Sequence, residues 1–302
     1  MASHRPSREF NGHSLTGELR WVMVCPPRNA GWDDPRRSKA WRELGFRHAP
    51  DFDVAQEEHD TLCRLLRESG AEVVAIPASG SLTLDAVYAH DASLPTDYGL
   101  ILMNPGKKNR VPEAQAHAAF CGELGVPVFG AVKFPGTTET GDFVWLDSRT
   151  LLVGRSYRTN AAGIEQIRSL LSSNDPRKAV TVLSVPLPHG PGPSECLHLM
   201  SLMSMLDERT ILVDLPSLAV ETVELVNERG VRLIEIDYSE RDTLACNVLV
   251  LGKGRLIAIR ENAKTNQRLR DAGFDVRTFP GSELCINGAG GPTCLTRPLM
   301  RA

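Results

Sequence analysis

Short apolar segments alternate with amphipathic stretches along most of the chain, and their order repeats. Each unit has the pattern of two short strands, a helix and a further strand. Four such units run over 86–129, 143–183, 197–236 and 247–278. A fifth is divided between the two ends, with strands and a helix in 21–76 and its remaining segment around Cys294. Repeats of this length typically bury their apolar faces against one another, so the pattern predicts five ββαβ units that close a ring.

The ends of the predicted helices are marked by glycine. Gly70, Gly125, Gly230 and Gly273 each follow a helical stretch, where a left-handed capping residue is favoured. No low-complexity linker divides the chain. We therefore predict one domain over residues 1–302, in which 1–18 form a flexible N-terminal extension.

The composition of the chain indicates which kinds of molecule it binds. The chain has 302 residues, 42% of them hydrophobic, which is enough for a large buried core. Its formal net charge is −3, so it predicts no extended field of one sign that would favour nucleic acid or a membrane surface. No apolar run approaches the ~18 residues that a membrane span requires. We expect a small-molecule partner.

The seven cysteines are scattered, odd in number and without CxxC spacing. This pattern argues against a disulfide framework and against a thiolate zinc site. The polar N-terminal residues lack the apolar core of a secretory signal. Reduced thiols and a cytoplasmic location are the expectation.

Three polar groups in the turns could carry chemistry. Asp85 and Asp91 flank an apolar segment, which is equally well interpreted as a strand with capped ends. The run Glu139 to Asp142 (Glu-Thr-Gly-Asp) is by itself an ordinary turn. The Gly-rich stretch before Cys294 would let the backbone approach a ligand closely, although a lone cysteine is more often a small core residue.

His198 lies on a strand-like apolar segment and taken alone is best interpreted as a core histidine. A cysteine nucleophile, however, needs a partner that lowers its pKa and a group that transfers protons to the leaving amine. A histidine oriented by a carboxylate does the second task. Cys294, His198 and Glu139 would together suffice for nucleophilic catalysis.

These residues, in their order, resemble the guanidino-group-modifying enzymes, and within them the dimethylarginine dimethylaminohydrolases. The resemblance extends from about Trp21 to Arg301 and rests on several short motifs. They are Asp85 to Asp91, Asn104 to Glu113, Glu139 to Asp142, Gly154 to Asn160, Leu197 to Leu199 and the Cys294 tail. The resemblance implies an α/β fold, the five-bladed pseudo-symmetric αβ propeller known as the pentein fold.

The resemblance also implies roles for the reacting groups. Cys294 resembles the nucleophile that attacks the guanidinium carbon and forms a covalent amidino intermediate. His198 resembles the acid that protonates the departing amine and the base that activates water, and Glu139 the acid that orients this histidine.

Four further residues match the family's substrate-binding positions. Asp91 resembles the carboxylate that grips the guanidinium nitrogens, and Asp85 a residue on the lip of the pocket. Arg110 and Arg158 resemble the arginines that hold the substrate carboxylate or its entrance loop. The implied reaction is hydrolysis of methylated arginine to citrulline and an amine, with neither a metal nor an organic cofactor.

The sequence departs from the family pattern at Met200, where related enzymes carry Asp or Lys two residues after the histidine. This change removes a second guanidinium-binding carboxylate and argues against plain arginine deimination. Arginine deiminase and amidinotransferase activity remain alternatives, as does a non-catalytic binding protein on the same fold. A homodimer and a lid formed by residues 29–52 are further expectations.

Overall fold

Fifteen short strands lie in the described part of the chain, which comprises residues 9–172, 179–190 and 192–302 of a computed structural model. In chain order they are β1 Leu19–Val24, β2 Glu72–Ala75, β3 Ser93–Thr96, β4 Gly99–Leu102, β5 Val128–Ala131, β6 Phe143–Asp147, β7 Thr150–Arg155, β8 Thr181–Pro186, β9 Met203–Asp207, β10 Thr210–Val213, β11 Arg232–Glu235, β12 Leu249–Gly252, β13 Arg255–Ile259, β14 Asp275–Phe279 and β15 Thr296–Arg301.

Five helices connect strands, and a single-turn helix precedes them. The helices are α1 Pro35–Ser38, α2 Phe52–Glu68, α3 Val111–Glu123, α4 Ala161–Leu171, α5 Val220–Glu228 and α6 Ala263–Asp271. Side chains of Asp51 and Asn160 accept hydrogen bonds from the first turns of α2 and α4, as N-cap residues do. The four predicted capping glycines after α2, α3, α5 and α6 all have positive φ, between 65° and 99°.

The strands form five separate three-stranded sheets with one topology. The strand orders are β3-β4-β5, β6-β7-β8, β9-β10-β11, β12-β13-β14 and β15-β1-β2. In each sheet the middle strand pairs antiparallel with the first-named strand and parallel with the last, which it reaches through a helix-containing crossover. The predicted repeat of ββαβ units is therefore confirmed.

The fifth sheet joins the two ends of the described chain, as the split unit predicted. Strand β15 pairs with β1 in a register that sets Leu19 opposite Arg301 and Val24 opposite Thr296. Backbone hydrogen bonds of 2.8 Å in both directions between Glu18 and Ala302 extend this pairing. The C-terminal segment that carries Cys294 is thereby fixed to the start of the chain.

The first-named strand of each sheet, called here the inner strand, is almost completely buried. Inner strand β9 contacts both β6 and β12. Strand β12 also contacts β1, the middle strand of the next sheet. Buried side chains such as Phe143, Met203 and Leu256 fill the space between strands and helices. This packing places the segments that precede the inner strands close together.

Two predicted strand segments were wrong. Residues 86–91 do not form a strand: Leu84–Val87 is a 3-10 turn, and the strand begins at Ser93. His198 likewise precedes a 3-10 turn, Leu199–Ser201, and the inner strand begins at Met203. Both segments are apolar because they are buried. Their backbone groups form hydrogen bonds outside the sheets, so they are turns and not strands.

The predicted N-terminal extension, residues 1–18, lies partly outside the described residues. From Asn11 onwards it is held in place, since Asn11 N donates to the carbonyl of Leu299 at 3.0 Å and Leu15 packs against buried core residues. None of the helices in the described ranges has the length and apolar character needed to span a bilayer.

Candidate active site

Five polar side chains come from equivalent places in the five units. Asp91, Glu139, His198, Asn247 and Cys294 each lie two to five residues before an inner strand, namely β3, β6, β9, β12 and β15. Direct contacts link neighbouring segments: Thr140 N donates to the carbonyl of Asp91, and His90 N to that of Cys294. The repeat therefore brings one chemical group from every unit to the same end of the ring.

Glu139 and His198 form the pair that the sequence analysis anticipated. Glu139 Oε2 lies 3.1 Å from His198 Nε2, and the glutamate is fully buried. Arg158 Nη1 lies 3.2 Å from both carboxylate oxygens of Glu139. Although burial opposes ionisation, the hydrogen bond and charge of His198 and the charge of Arg158 lower the pKa of Glu139 to about 2. Glu139 is therefore an anion that fixes the histidine ring.

Asp91 lies on the other side of the same ring. Its Oδ1 is 4.0 Å from His198 Nδ1 and accepts a 2.9 Å hydrogen bond from Gly141 N. A Cβ at Gly141 would lie 2.2 Å from His198 Nδ1, so only glycine fits at this position of the Glu-Thr-Gly-Asp turn. Burial opposes ionisation of Asp91, but Arg110 and His198 more than compensate and lower its pKa. The turn thus serves as a platform for the histidine.

His198 has a second thiol beside it. Cys196 Sγ lies 3.6 Å from His198 Nδ1, a neighbour that the sequence analysis did not identify as functional. Burial disfavours the imidazolium, but the neighbouring side chains of Cys196, Asp142 and Asp91 raise the pKa of His198 well above its ordinary value. His198 is therefore a proton donor in the free protein.

Asp142 ties the turn to the histidine segment. Its Oδ1 accepts a 3.0 Å hydrogen bond from Leu199 N, and its Oδ2 accepts a 2.6 Å hydrogen bond from Ser156 Oγ. Since Leu199 is the next residue after His198, this carboxylate sets the position of the backbone that carries the ring. The conformation of the Glu139 to Asp142 turn is therefore coupled to that of His198.

Cys294 is held by Asn247, which the sequence analysis missed. Asn247 Nδ2 donates to Cys294 Sγ at 3.1 Å, and Asn247 Oδ1 accepts from Thr293 N at 3.0 Å. Gly291 leaves room for this amide, because a Cβ there would lie 2.5 Å from Asn247 Oδ1. Burial and the charge of Asp91 raise the pKa of the Cys294 thiol to about 12, against the opposing effects of His198 and Asn247. The thiol is protonated in the free protein.

The remaining predicted ligands are paired within the protein. Arg110 is buried and donates to Asp91 Oδ2 at 2.6 Å and to Glu113 Oε2 at 2.8 Å. Asp85 is also buried, with Lys107 Nζ 2.5 Å from its Oδ2. Their charges thus already have partners inside the protein.

A cavity of about 250 Å³ reaches the thiol and the imidazole. The cavity is lined by Cys294, His198, Cys196 and Asn247, together with the apolar side chain of Met200. Charged residues also line it, namely Arg47, Glu195, Asp214, Arg241 and Asp242. Neither Asp85 nor Asp91, and neither of the two predicted arginines, lines this cavity.

One cluster of donor atoms beside the cavity could hold a metal ion. One ligand atom each from Glu139, Cys196 and His198 lie within 4.8 Å of one another. The hydrogen bond between His198 and Glu139 uses two of these residues, so a cation would have to displace the shared proton.

A five-unit ring with a thiol, an imidazole and a carboxylate at its centre defines the class of guanidino-group-modifying enzymes. The family model described as arginine deiminase matches residues 83–220 and 214–301, and the chain therefore belongs to the arginine deiminase family. The predictions of this fold and of a hydrolase acting on guanidino carbon–nitrogen bonds are confirmed at the level of the class.

Individual relatives differ in their reactions. The N(G),N(G)-dimethylarginine dimethylaminohydrolase of Streptomyces coelicolor is 28% identical over 260 residues, covering 83% of this chain and 88% of that protein. The N-terminal domain of a cyanobacterial arginine dihydrolase, solved with its substrate, is 22% identical with a TM-score of 0.76, covering 93% of this chain and 98% of that one. An amidinotransferase from Microseira wollei is 18% identical with a TM-score of 0.74, covering 97% and 98%.

Proposed function

We propose that the protein hydrolyses Nω-methylated arginine to citrulline and methylamine or dimethylamine through a covalent intermediate on Cys294. The observation that carries the proposal is the imidazole of His198, held between Glu139 at 3.1 Å and Asp91 at 4.0 Å, at the end of a cavity that also exposes Cys294. An oriented acid and base next to a thiol is the arrangement that covalent catalysis requires.

Substrate binding would activate the nucleophile. In the free protein the charge of Asp91 helps to keep the Cys294 pKa high. A guanidinium bound in the cavity, which Cys294 lines, would place a cation beside the sulfur and oppose the effect of that charge. The cation lowers the thiol pKa, so that the thiol proton passes to water and the thiolate forms when the substrate is in place.

Proton transfer at His198 would then complete the reaction. The thiolate forms a bond to the guanidinium carbon, and the His198 imidazolium gives its proton to the departing amine as the carbon–nitrogen bond breaks. The neutral imidazole next takes a proton from water, whose oxygen attacks the amidino carbon and displaces Cys294. The products are citrulline, the amine and the enzyme in its initial protonation state at His198.

Met200 favours a methylated substrate over arginine. It is buried and lines the cavity together with His198 and Cys294, at a position where related enzymes carry Asp or Lys. A thioether packs favourably against methyl groups but cannot pair with an unsubstituted guanidinium nitrogen. Arginine deimination and amidino transfer to an amine acceptor remain the alternative reactions of the family.

Parallel assays test the proposal. The purified protein is incubated with asymmetric dimethylarginine, monomethylarginine or arginine, and citrulline is measured. We expect citrulline from the methylated substrates, its loss in Cys294→Ser, and its retention in Cys63→Ser, whose thiol is buried in helix α2 outside the cavity. Turnover of arginine alone would favour arginine deiminase. Turnover that depends on an added amine acceptor would favour an amidinotransferase.

A further inference from the structure

Behind the candidate active site, the N-terminal segment closes the other end of the space between the inner strands. Asn11 is bound to β15 through Leu299 and through Arg301, whose N donates to Asn11 Oδ1 at 2.9 Å. Two adjoining small cavities remain between this segment and the ring, and both are lined by Leu15, His90, Pro298 and Arg301. Each has a volume of about 20 Å³.

Two arginines are buried at these cavities, and neither has an acidic partner within the described ranges. Arg297 is 4% exposed and Arg301 is 5% exposed. Arg297 Nη2 donates to the carbonyl of His90 at 2.6 Å, and Arg301 Nη1 donates to the carbonyls of Gly17 and Val250 at 2.7 and 2.9 Å. Among the described residues no carboxylate lies within ion-pair distance of either guanidinium.

Three residues that line the first of the two cavities carry unsatisfied donors. Arg297 Nε, Arg301 Nε and Trp145 Nε1 are buried and have no hydrogen-bond acceptor in the described part of the protein. All three residues line this same cavity. Buried N–H groups are nearly always satisfied, and an unpartnered buried cation is especially costly.

Both arginines remain charged despite burial. Burial lowers the pKa of Arg297 to about 9, where the charge of Asp91 opposes the shift and that of Arg301 adds to it, and burial lowers the pKa of Arg301 to about 10. Two cations therefore line one small cavity at neutral pH. A single anion in that space would relieve the repulsion and accept hydrogen bonds from the free N–H groups.

We propose that this cavity, defined by Trp145, Arg297 and Arg301, binds a small monovalent anion of the size of chloride. A volume of about 20 Å³ is enough for one particle of about the size of a water molecule, and a chloride ion is the simplest anion of about that size. Water can accept hydrogen bonds from two donors but brings no negative charge to offset the two guanidinium groups.

Thermal unfolding tests the anion site independently of any catalytic assay. The full-length protein is heated in increasing sodium chloride, with sodium gluconate replacing it to keep ionic strength constant. Because a ligand that binds the native state alone raises stability by mass action, we expect a saturable rise in Tm of a few degrees with chloride. An equal effect of both salts would overturn the proposal.

A variant tests whether the chloride-dependent rise in Tm comes from binding in this cavity. Arg301→Met removes one of the two cations and should abolish the chloride-dependent rise in Tm. Arg36→Met is the matched control, because the Arg36 side chain is 91% exposed, and it should retain the full effect. A chloride response of the same size and midpoint in folded Arg301→Met would contradict the assignment.

Bromide provides a direct readout that does not depend on whether the variant folds. Crystals of the unmodified protein grown or soaked in sodium bromide should give an anomalous difference peak between the guanidinium groups of Arg297 and Arg301. Density there without anomalous signal would identify a water molecule and overturn the proposal. The result leaves the proposed hydrolysis untouched, since neither arginine takes part in it.

Discussion

At the scale of single residues, the reactivity of Cys294 depends on a few neighbours. The sulfur has one hydrogen-bond donor, Asn247 Nδ2, and a carboxylate close enough to raise its pKa. A protonated thiol reacts poorly with electrophiles, because the thiolate is the nucleophile. The free protein should therefore react slowly at Cys294 near neutral pH, and groups that stabilise the thiolate should determine its rate.

Asn247→Ala should slow alkylation of Cys294. Loss of one hydrogen bond to sulfur, worth about 0.5–1.5 kcal/mol, raises the thiol pKa by up to about one unit and lowers the thiolate fraction at a given pH. We expect about a 3- to 10-fold lower rate with iodoacetamide between pH 7 and 9, measured on the Cys294 peptide by mass spectrometry. Labelling of Cys196, which lines the same cavity, reports changes in access. An unchanged Cys294 rate would show that the amide does not stabilise the thiolate.

Cys196→Ser should lower the pKa of His198. Among the groups that raise the pKa of His198, Cys196 has the largest effect. Without its sulfur, His198 should lose its proton at a lower pH. Titration of the His198 ring by NMR measures the change.

A matched pair of side chains provides the control. Cys63 Sγ is also 3.6 Å from a histidine nitrogen, His59 Nδ1, but burial lowers the pKa of His59 to about 4. Cys63→Ser should leave the titration of His198 unchanged. If His198 titrated identically in both variants, the thiol of Cys196 would have no electrostatic role.

The sequence indicated Glu139, His198 and Cys294 but not Asn247 or Cys196. The first three belong to motifs whose resemblance to a known family assigns them roles. Asparagine before a strand is an ordinary turn residue, and a cysteine two residues before a histidine has no distinctive spacing. The repeat held a usable signal for Asn247, since it occupies in the fourth unit the place that Asp91 and Cys294 occupy in others.

At the scale of elements, helix α2 positions the segment that leads to Cys294. Its residue Glu58 is 2% exposed and accepts hydrogen bonds from the N-terminal end of a π-helix, Ser282–Asn287. The donors are Ser282 N at 2.9 Å, Glu283 N at 3.1 Å and Leu284 N at 2.7 Å. A carboxylate at these free N–H groups satisfies them and interacts favourably with their partial positive charge.

Glu58→Ala should destabilise the protein and loosen the π-helix. Several buried N–H groups would lose a charged acceptor, which costs about 3 kcal/mol or more. Urea unfolding measures the loss of unfolding free energy, and hydrogen exchange of residues 282–294 measures the local effect. Glu57→Gln, on the exposed face of the same helix, should change neither. Wild-type exchange rates at 282–294 in Glu58→Ala would contradict this role.

Helices were easier to predict than the turns around the site. The stripe of buried residues in α2 has helical periodicity, and the helix lies within residues 21–76, where the sequence predicted one. Residues 84–91 are equally apolar, but their backbone donors bond to distant or local carbonyls, such as that of Cys294 for His90 N. The pattern of apolar residues shows which side chains are buried, but it does not show which groups the backbone bonds to. Buried turns therefore resemble strands in sequence.

At the scale of the whole molecule, we predict that the chain is a single domain, and unfolding experiments can test whether it unfolds as one unit. Leu299 in β15 is fully buried and belongs to the sheet that joins the two ends of the described chain. Leu299→Ala should lower the unfolding free energy by about 2–5 kcal/mol through lost burial and a cavity. If the ring is one cooperative unit, tryptophan fluorescence and far-UV circular dichroism should shift together in urea.

Two separate transitions, or a shift in one signal alone, would show that the ring is not one unfolding unit. Val220→Ala is the control, because this side chain is 69% exposed and its truncation should change stability little.

The pairing of β1 with β15 also sets an order for events on the ribosome. Strand β1 ends at residue 24, whereas its partner ends at residue 301. At about 5–20 residues per second, roughly 15–55 s of translation separate the two strands. Cys294 leaves the ribosome after every other member of the proposed catalytic group. A nascent chain therefore carries His198 and Glu139 without the thiol, and it gains a complete reactive centre only in the step that joins its two ends.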